Sequence, residues 1–427
     1  MELINAKGTK DLMPEEKIVV ETLKSKLVEI FERYGFNPLE TPLIEKLDVL
    51  SSKYAGGDEI LKEIFVLTDQ GNRKLGLRYD LTVPLSRVVG MNPNLKMPFK
   101  RYQLGKVFRD GPIKAGRYRE FIQCDVDTVG SSSMLADAEF VAIVRDFFRE
   151  LNVEVVTKVN TRKLLNGIIE EVKVPDSKKM KVILAIDKLE KQGINVVRKE
   201  LEDLGISDDR VCKIEEMISI KGNNSEKLEM IKKFVKNKEG LEGIKELEEI
   251  ANYLKLMKVD NYEFDFSLAR GLAYYTGTVF EVFAKKSKVS GALAAGGRYD
   301  RMIAEFLGRK EDVPAVGISF GVSAIMDAVE FAENKKCVTQ IYVIPIGTLN
   351  ESVKIVNELR GKGLKVDVDL MSRGVSKNLN YANSYKIPFV AIIGEKELKQ
   401  KRINLRDMKT GKEQLVSVKD VADFLKK

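Results

Sequence analysis

The chain is predicted to fold as an α+β protein in three parts: a mostly antiparallel sheet flanked by helices, a helical insertion within that part, and a small C-terminal α/β domain. Its 427 residues suffice for two or three domains with sizeable cores. Three patterns predict the division. Strand-like segments joined by polar loops occupy much of residues 1–325, charge-rich helical periodicity fills about 163–258, and strands alternate with helices over 338–427, which leaves 326–337 as a linker.

The first predicted element is an amphipathic helix. Apolar residues recur at helical spacing from Pro14 to Tyr34, with Pro14 suited to the first turn and Gly35 to the C-terminal cap. Pro38 and Pro42 follow. Because proline cannot donate a ladder hydrogen bond, they favour an edge or interface strand over a central one.

Strands are predicted for the segments that come next. Leu75 to Arg87 has the pattern of a strand, and Tyr102 to Gly130 has that of two strands joined by a polar loop. Tyr275 to Phe283 and Gly317 to Gly321 add two more. Together these segments predict a mostly antiparallel sheet.

The remaining two parts differ from the sheet-forming part in their pattern of charged and apolar residues. Between about Lys163 and Lys258 the charge-rich helical pattern lacks strand alternation, and its charge runs are interpreted as solvated helix faces. After Cys337, apolar strand-like runs alternate with helical ones. That alternation is typical of a small α/β domain with a largely parallel sheet.

Composition excludes several kinds of chemistry. The chain has no histidine and three widely spaced cysteines, so it has no serine–histidine triad, no HExxH metal site and no CxxC pair. Arginine, lysine, carboxylates, tyrosine and backbone remain, a set that suits phosphoryl and nucleotidyl transfer. The sequence shows no membrane-length apolar run and no signal-peptide core, so we expect a cytoplasmic protein with no membrane partner.

The formal charge of +8 is concentrated at one end of the chain. Residues 338–427 contain 17 Lys and Arg against 10 Asp and Glu, whereas the rest nearly balances. A basic C-terminal domain indicates a polyanionic partner, most commonly a nucleic acid. A lysine-rich solvated surface is the alternative.

The most unusual segment is SLARGLAYYTGTVFE, Ser267 to Glu281. Arg270 stands beside Gly271, where backbone can approach a ligand closely, and its guanidinium suits bidentate capture of phosphate or carboxylate. Tyr274 and Tyr275 are either aromatics of a half-buried strand or part of the same site. In a regular strand, at most one of them would face the ligand.

Other charged and polar residues could complete such a site. Arginines near a nucleotide triphosphate would neutralise it without a P-loop, which the sequence lacks. Asp80, Gln123 and Asp127 offer acceptors on predicted strands, and the spacing of Gln123 and Asp127 places both on one strand face. For any single residue an ordinary salt bridge is the alternative. The candidate arginines are Arg109, Arg117, Arg119, Arg270, Arg298 and Arg301.

Several segments in one order resemble the class II aminoacyl-tRNA synthetases and, within them, the histidyl-tRNA synthetase family. They are KGTKDLMPEE, GFNPLETP, LRYDLTVP, FRDGPIKAGRYREFIQCDVD, LARGLAYYTGTVFE, GGRYD and VPAVGISFG. The resemblance implies a class II catalytic domain over 1–325 and an anticodon-binding domain over 338–427. RYDLTVP and QCDVD look archaeal or eukaryotic rather than bacterial.

This resemblance implies ATP-dependent ligation of L-histidine to its tRNA through a histidyl-adenylate, with Mg²⁺, in a homodimer whose interface uses GFNPLETP. By position, Arg109 and Arg270 would be the catalytic cations, and ATP would contact both of these and Arg117. Asp127 would recognise the imidazole ring, and no side chain is assigned to a metal. The implied histidine-binding residues are Asp80, Leu81, Thr82, Arg109, Gln123, Asp127, Arg270, Tyr274 and Tyr275.

Three positions depart from the family's pattern. Gly111 replaces a glutamate, Ala273 an aspartate and Ala324 an arginine. An alternative follows, namely a non-catalytic histidine-sensing subunit resembling the regulatory partner of ATP phosphoribosyltransferase. Such proteins usually lack the basic C-terminal domain, whose presence here favours the ligase.

Overall fold

The computed structural model describes residues 2–51, 61–113, 118–270, 274–286, 291–329 and 335–425. The chain divides into two compact units, one of Met1–Lys10 with Leu23–Glu330 and the other of Asp11–Thr22 with Phe331–Lys427. Within the described ranges, no helix combines the length and apolar character needed to cross a membrane.

Regular elements alternate along the whole described chain. Up to residue 329 the strands are β1 (Asn37–Pro38), β2 (Ile44–Lys46), β3 (Val66–Thr68), β4 (Lys74–Leu77), β5 (Phe99–Phe108), β6 (Glu120–Val129), β7 (Val155–Thr161), β8 (Tyr262–Phe264), β9 (Thr278–Ala284), β10 (Ala294–Arg298) and β11 (Ala315–Gly321). The helices there are α1 (Pro14–Arg33), α2 (Leu47–Leu50), α3 (Thr82–Met91), α4 (Met134–Glu150), α5 (Arg162–Glu171), α6 (Asp176–Ile186), α7 (Leu189–Gln192), α8 (Ile194–Asp203), α9 (Asp208–Ile218), α10 (Asn224–Phe234), α11 (Lys238–Leu256), α12 (Asp300–Phe306) and α13 (Val322–Ala328).

In the described residues of the first unit, eight strands form the main sheet in the order β1-β5-β6-β11-β10-β9-β7-β8. The β1–β5 and β7–β8 pairs are parallel and the other pairs are antiparallel, which confirms the predicted sheet type. Strand β1, which contains Pro38, lies at an edge, as its proline requires. A second sheet has the order β2-β4-β3.

The predicted strand from Leu75 to Arg87 is wrong in its second half. Strand β4 ends at Leu77, and helix α3 begins at Thr82. The Asp80 carboxylate accepts the backbone N–H of Val83 at 3.1 Å, so it satisfies an amide that the first helical turn leaves without a partner. Asp80 therefore lies at a helix N-terminus rather than on a strand.

One face of the main sheet is covered by an aromatic core. Helix α1 ends before Gly35, whose φ of +77° confirms the predicted cap, and it brings Phe31 to the sheet. The rings of Phe31 and Phe147 lie 5.8 and 5.4 Å from that of Phe320 on β11. Because neighbouring residues of a strand point to opposite faces, Ser319 is left for the other side of the sheet.

The predicted helical segment between about 163 and 258 is helical in the structure, as α5 to α11. Its longest helix, α11, packs tightly against α5. A Cβ atom added to Gly167 would lie 2.4 Å from the Cα of Gly240, so glycine at this crossing lets the two backbones approach.

The second unit contains the predicted alternation. Its strands and helices are β12 (Ile341–Pro345), α14 (Leu349–Gly361), β13 (Val366–Val368), α15 (Val375–Ser384), β14 (Phe389–Ile393), α16 (Glu395–Lys399), β15 (Arg402–Asp407), β16 (Glu413–Ser417) and α17 (Val421–Phe424). In its described residues the sheet has the order β13-β12-β14-β15-β16. Strand β12 pairs in parallel with β13 and β14, but β15 pairs antiparallel with both β14 and β16, so the sheet is only half parallel. The unpredicted β15–β16 hairpin turns where Asp407 accepts the amides of Lys409 and Thr410.

Arg298, one of the candidate phosphate ligands, instead holds the first unit together. Its side chain is 3% exposed and forms an ion pair with Asp137 of α4, which is fully buried. The same guanidinium donates to Ser131 O at 2.9 Å and to Asp300 at 3.2 Å. Its charge and donors are therefore used inside the protein.

We predict that Asp137→Ala destabilises the protein by about 3–5 kcal/mol, because it leaves the Arg298 charge buried without its main partner. The exposed Arg301–Asp312 pair supplies the control, since Asp312→Ala should cost less than about 1 kcal/mol. Thermal unfolding of the two variants measures the difference. Equal losses of stability would contradict a structural role for the buried pair.

Candidate active site

The main sheet bears a cavity of about 300 Å³ on the face opposite the aromatic core. Its walls come from both halves of the sheet and from the turns that precede α3 and β9. The cavity brings together eight of the nine predicted histidine-binding residues and leaves only Leu81 outside. The predicted residues that line it are Asp80, Thr82, Arg109, Gln123, Asp127, Arg270, Tyr274 and Tyr275.

Glycines give the cavity its depth. Across the sheet, Asp127 of β6 is paired with Gly317 of β11, and Gly317 with Gly297 of β10. A Cβ atom at Gly317 would lie 2.0 Å from Asp127 Oδ1, and one at Gly297 would lie 2.8 Å from the Tyr275 ring. Side chains at these two positions would therefore displace the acid and the aromatic wall.

A buried ion pair lies beneath this floor. Arg101 of β5 is fully buried, and its Nη2 lies 2.7 Å from Asp127 Oδ2. The hydroxyl of Tyr299 donates to the other carboxylate oxygen. Burial raises the pKa of Asp127, while Arg101 and Tyr299 oppose that rise. The carboxylate is thus held in one orientation from two sides.

Asp125 is a second buried acid on the same strand face. It lies between Gln123 and Asp127, lines the cavity and is 5% exposed. Burial is the main cause that raises its pKa to about 7, with smaller contributions from Asp127 and Asp80 and with Arg101 and a hydrogen bond with Ser319 opposing the rise.

Asp80 and its two neighbours occupy the start of α3. Burial raises the pKa of Asp80 to about 6, against the opposing effects of the Val83 amide and of Arg109. Thr82 also lines the cavity. Leu81 is fully buried in the core, and its carbonyl accepts a 3.3 Å hydrogen bond from Arg101.

Arg270 enters the cavity from a strained backbone position. Its φ of +51° lies in the left-handed region that non-glycine residues seldom adopt. Nη1 donates to Glu281 at 2.8 Å, and Nη2 to the Tyr275 hydroxyl at 3.4 Å. Burial disfavours the charge, but Tyr275 and Glu281 hold the pKa of Arg270 above its ordinary value, so the guanidinium stays charged.

Residues from β7 and α5 hold this backbone in place. The side-chain amide of Asn160 donates to the carbonyls of Phe266 and Leu268 at 3.2 and 2.9 Å. Arg162 donates to the Ala269 carbonyl at 3.0 Å. These contacts reach main-chain atoms, so they position Arg270 whatever side chains flank it.

Both tyrosines line the cavity. The limit of one ligand-facing tyrosine applies only to a regular strand, and β9 begins only at Thr278, after both tyrosines. In the turn before the strand, side chains do not alternate between two faces. The rings of Tyr274 and Tyr275 lie 4.6 Å apart, and Tyr274 also contacts Tyr299.

The other arginines that were predicted to bind phosphate do not all lie at the cavity. Arg109 lines the cavity, donates to the Tyr79 carbonyl at 3.1 Å and stacks over Phe121. Arg301 is largely exposed beside Asp312. Arg117 and the off-pattern Ala273 lie outside the described residues.

Sequence reasoning missed Arg101 and Asp125. The signal for Asp125 was present, because the two-residue period that joins Gln123 to Asp127 passes through it. Arg101 carried no such signal. Its place opposite Asp127 follows from the pairing register of β5 and β6, which the sequence does not specify.

Comparison with known proteins assigns this fold to a class. A family model for histidyl-tRNA synthetase matches residues 8–325, and one for an anticodon binding domain matches 340–427. The crystal structure of histidyl-tRNA synthetase from Nostoc sp. PCC 7120 superposes with a TM-score of 0.89 at 29% identity, covering 100% of this chain and 99% of that one. The fold is that of a class II aminoacyl-tRNA synthetase.

Sequence relatives identify the family within this class. The chain is 45% identical over 430 residues to Histidine–tRNA ligase 1 of Bacillus cereus, with 100% of both chains covered. It is 39% identical to Histidine–tRNA ligase of Clostridium tetani, covering 98% of this chain and 97% of the relative. The chain belongs to the histidyl-tRNA synthetase family. These relatives are bacterial, so the archaeal or eukaryotic affinity expected from RYDLTVP and QCDVD is unsupported.

The raised pKa of Asp125 predicts a pH-dependent cost in stability. Between pH 5 and 7 the folded protein holds a proton on this carboxyl that the unfolded chain, with a pKa of about 3.9, has already lost, so stability falls as pH rises. Asp125→Asn removes the effect. We predict that the variant gains about 2–3 kcal/mol more over the parent protein at pH 8 than at pH 5.

Thermal unfolding midpoints of both proteins at the two pH values measure this gain. The exposed Asp312→Asn variant is the matched control and should show no such difference. An equal shift at both pH values would contradict the assignment.

Proposed function

We propose that this chain is a cytoplasmic histidine–tRNA ligase that activates L-histidine with ATP and transfers it to the 3′ end of its tRNA. The observation that carries the proposal is the mixed charge of the cavity lining. Buried acids form its floor, and Arg109 and Arg270 supply cations at its walls. An amino acid presents a cation and a carboxylate, and ATP presents phosphates, so the two kinds of charge suit the two substrates.

The acidic floor would hold histidine. Asp80 and Thr82 would bind the ammonium group, and Gln123 would add an acceptor. Asp127 would accept the imidazole N–H, because Arg101 and Tyr299 keep its carboxylate oriented. The tyrosine pair would enclose the ring.

The two arginines would act on the reacting phosphate. The histidine carboxylate attacks the α-phosphorus of ATP, the bond to the β-phosphate oxygen breaks, and pyrophosphate leaves. A carboxylate is already a nucleophile, so this step needs no general base, which agrees with the absence of histidine from the chain. Arg109 and Arg270 would stabilise the negative charge that builds on the phosphoryl oxygens.

Mg²⁺ is part of the proposal only as a companion of ATP. The described residues contain no group of three side chains able to hold a metal ion. Magnesium keeps several waters and is commonly bound through substrate phosphates, so the ion would arrive with the nucleotide and add positive charge there.

Transfer to tRNA would use the second unit. Residues 338–427, which we propose as the anticodon-binding domain, contain most of the excess positive charge. Such a domain attracts the phosphate backbone over several ångströms of solvent. The first unit would then need only to bind the acceptor end.

A homodimer is also proposed. Next to GFNPLETP, the small β2-β4-β3 sheet and the residue before it expose four large apolar side chains, Leu43, Ile44, Val66 and Leu67, each 39–54% exposed. Such a patch on an otherwise charged surface favours contact with a second copy, which sedimentation velocity tests.

The second candidate is the histidine-sensing subunit. A Bacillus halodurans structure described as an ATP phosphoribosyltransferase regulatory subunit/histidyl-tRNA synthetase shares the fold, with a TM-score of 0.77 at 20% identity and 92% and 98% coverage of the two chains. The two cavity arginines and the basic second unit favour the ligase, because a sensor needs neither.

We predict that histidine, alone among the amino acids, supports ATP–pyrophosphate exchange, and that Arg270→Ala lowers the rate by about 100-fold or more. Arg301→Ala is the control, because Arg301 is exposed and outside the cavity, and it should keep full exchange. Histidine binding without exchange in the parent protein would support the sensor instead.

We predict that deletion of residues 338–427 lowers tRNA charging far more than exchange, by about 100-fold against less than fivefold, since several phosphate contacts are lost together. Charging and exchange are measured on the same preparation. Equal losses in both assays would argue against a separate tRNA-binding role for this unit.

A further inference from the structure

Asp125 is the buried acid of the cavity to which no role has been assigned. Strand β6 places it on the cavity face between Gln123 and Asp127, and the sheet pairs it with Gln103 on one side and Ser319 on the other. Its position is thus fixed by two neighbouring strands.

Its hydrogen bonding is incomplete, and within the described residues it lacks the close ion pair that Asp127 forms with Arg101. Asp127 is held by Arg101 and Tyr299, and Asp80 by the Val83 amide. Asp125 shares the Ser319 hydroxyl, but within the described part of the chain its Oδ1 has no hydrogen-bond partner.

The neighbouring side chain of Gln123 also has an oxygen atom without a hydrogen-bond partner among the described residues. Gln123 donates through Nε2 to Ser319 at 3.4 Å, while its Oε1 also lacks a partner among the described residues. Both residues line the cavity. Two buried acceptors side by side call for a ligand that is rich in donors, and an ammonium group has three.

The charges around Asp125 favour a cation. Asp80, Asp127 and Asp125 each interact electrostatically with Arg101, and Arg78 interacts with both Asp125 and Arg101. Arg101 is already paired with Asp127 at 2.7 Å. A cationic ligand would therefore meet a carboxylate to which no described residue brings an ion-pair partner at that distance.

We propose that Asp125 binds the α-ammonium group of the amino acid and makes the site select amino acids over deaminated analogues. The inference rests on the proposed function, since it takes histidine as the substrate of this cavity. Asp125 shares the ammonium with Asp80, while Asp127 remains for the imidazole ring.

The test compares L-histidine with imidazolepropionate, which has the same ring and carboxylate but no ammonium group. Calorimetric affinities of both ligands are measured for the parent protein, Asp125→Asn and the control Asp312→Asn. The parent protein should prefer histidine. Asp125→Asn should reduce that preference by about tenfold or more, through weaker histidine binding alone, as expected for loss of a charged hydrogen bond.

Exchange kinetics supply an independent readout. In Asp125→Asn the KM for histidine should rise about tenfold or more, while kcat and the KM for ATP stay within about twofold, because the residue contacts the ammonium and not the phosphates. Asp125→Ala should show the same pattern and replaces Asp125→Asn should the latter fail to fold.

Equal weakening of both ligands, or no change in either, would overturn the assignment and leave Asp125 a structural partner of Arg101. Those outcomes, with exchange intact in the parent protein, leave the ligase proposal standing. Absence of histidine-dependent exchange in the parent protein would refute the ligase proposal instead.

Discussion

The buried Arg101–Asp127 ion pair is the constraint on which the cavity depends. A fully buried guanidinium requires a carboxylate, and the sheet register supplies one directly across the strand pair. That carboxylate in turn requires glycine at 317, because a Cβ there would lie 2.0 Å from it. The Tyr299 hydroxyl completes its shell. Arg101 and Gly317 are more than 200 positions apart in the chain, yet the Asp127 carboxylate constrains both of them.

The buried acids of the cavity lower the stability of the protein when no substrate is bound. Asp80 and Asp125 have pKa values raised to about 6 and 7, which means that the folded protein without substrate opposes their ionisation. An ammonium group would remove that opposition, because it would supply positive charge and hydrogen-bond donors. Under the proposed function, the acids that lower the stability of the empty protein are thus the ones that would bind the amino acid, a pattern common at functional sites.

How far the sequence predicts this site depends on the range of the interaction. The two-residue period of β6 is local, so the shared face of Gln123 and Asp127 could be predicted, and Asp125 should have been. The helix at Thr82 was missed because the Asp80 cap decides it more than the apolar pattern does. Register is not local: the place of Arg101 and the structural use of Arg298 depend on which strands and helices meet, and no pattern within a segment contains that information.

Arg298 and Arg270 differ in role because their surroundings differ. Arg298 is surrounded by acceptors and 3% exposed, so it has no capacity left for a ligand. Arg270 keeps 21% of its side chain exposed and a left-handed backbone held by distant residues. Of those residues, Arg162 also contacts Met180 of α6 at 3.2 Å. The helical insertion therefore contacts the side chain that holds the backbone next to Arg270, so a displacement of α6 would reach Arg270 through Arg162 and the Ala269 carbonyl.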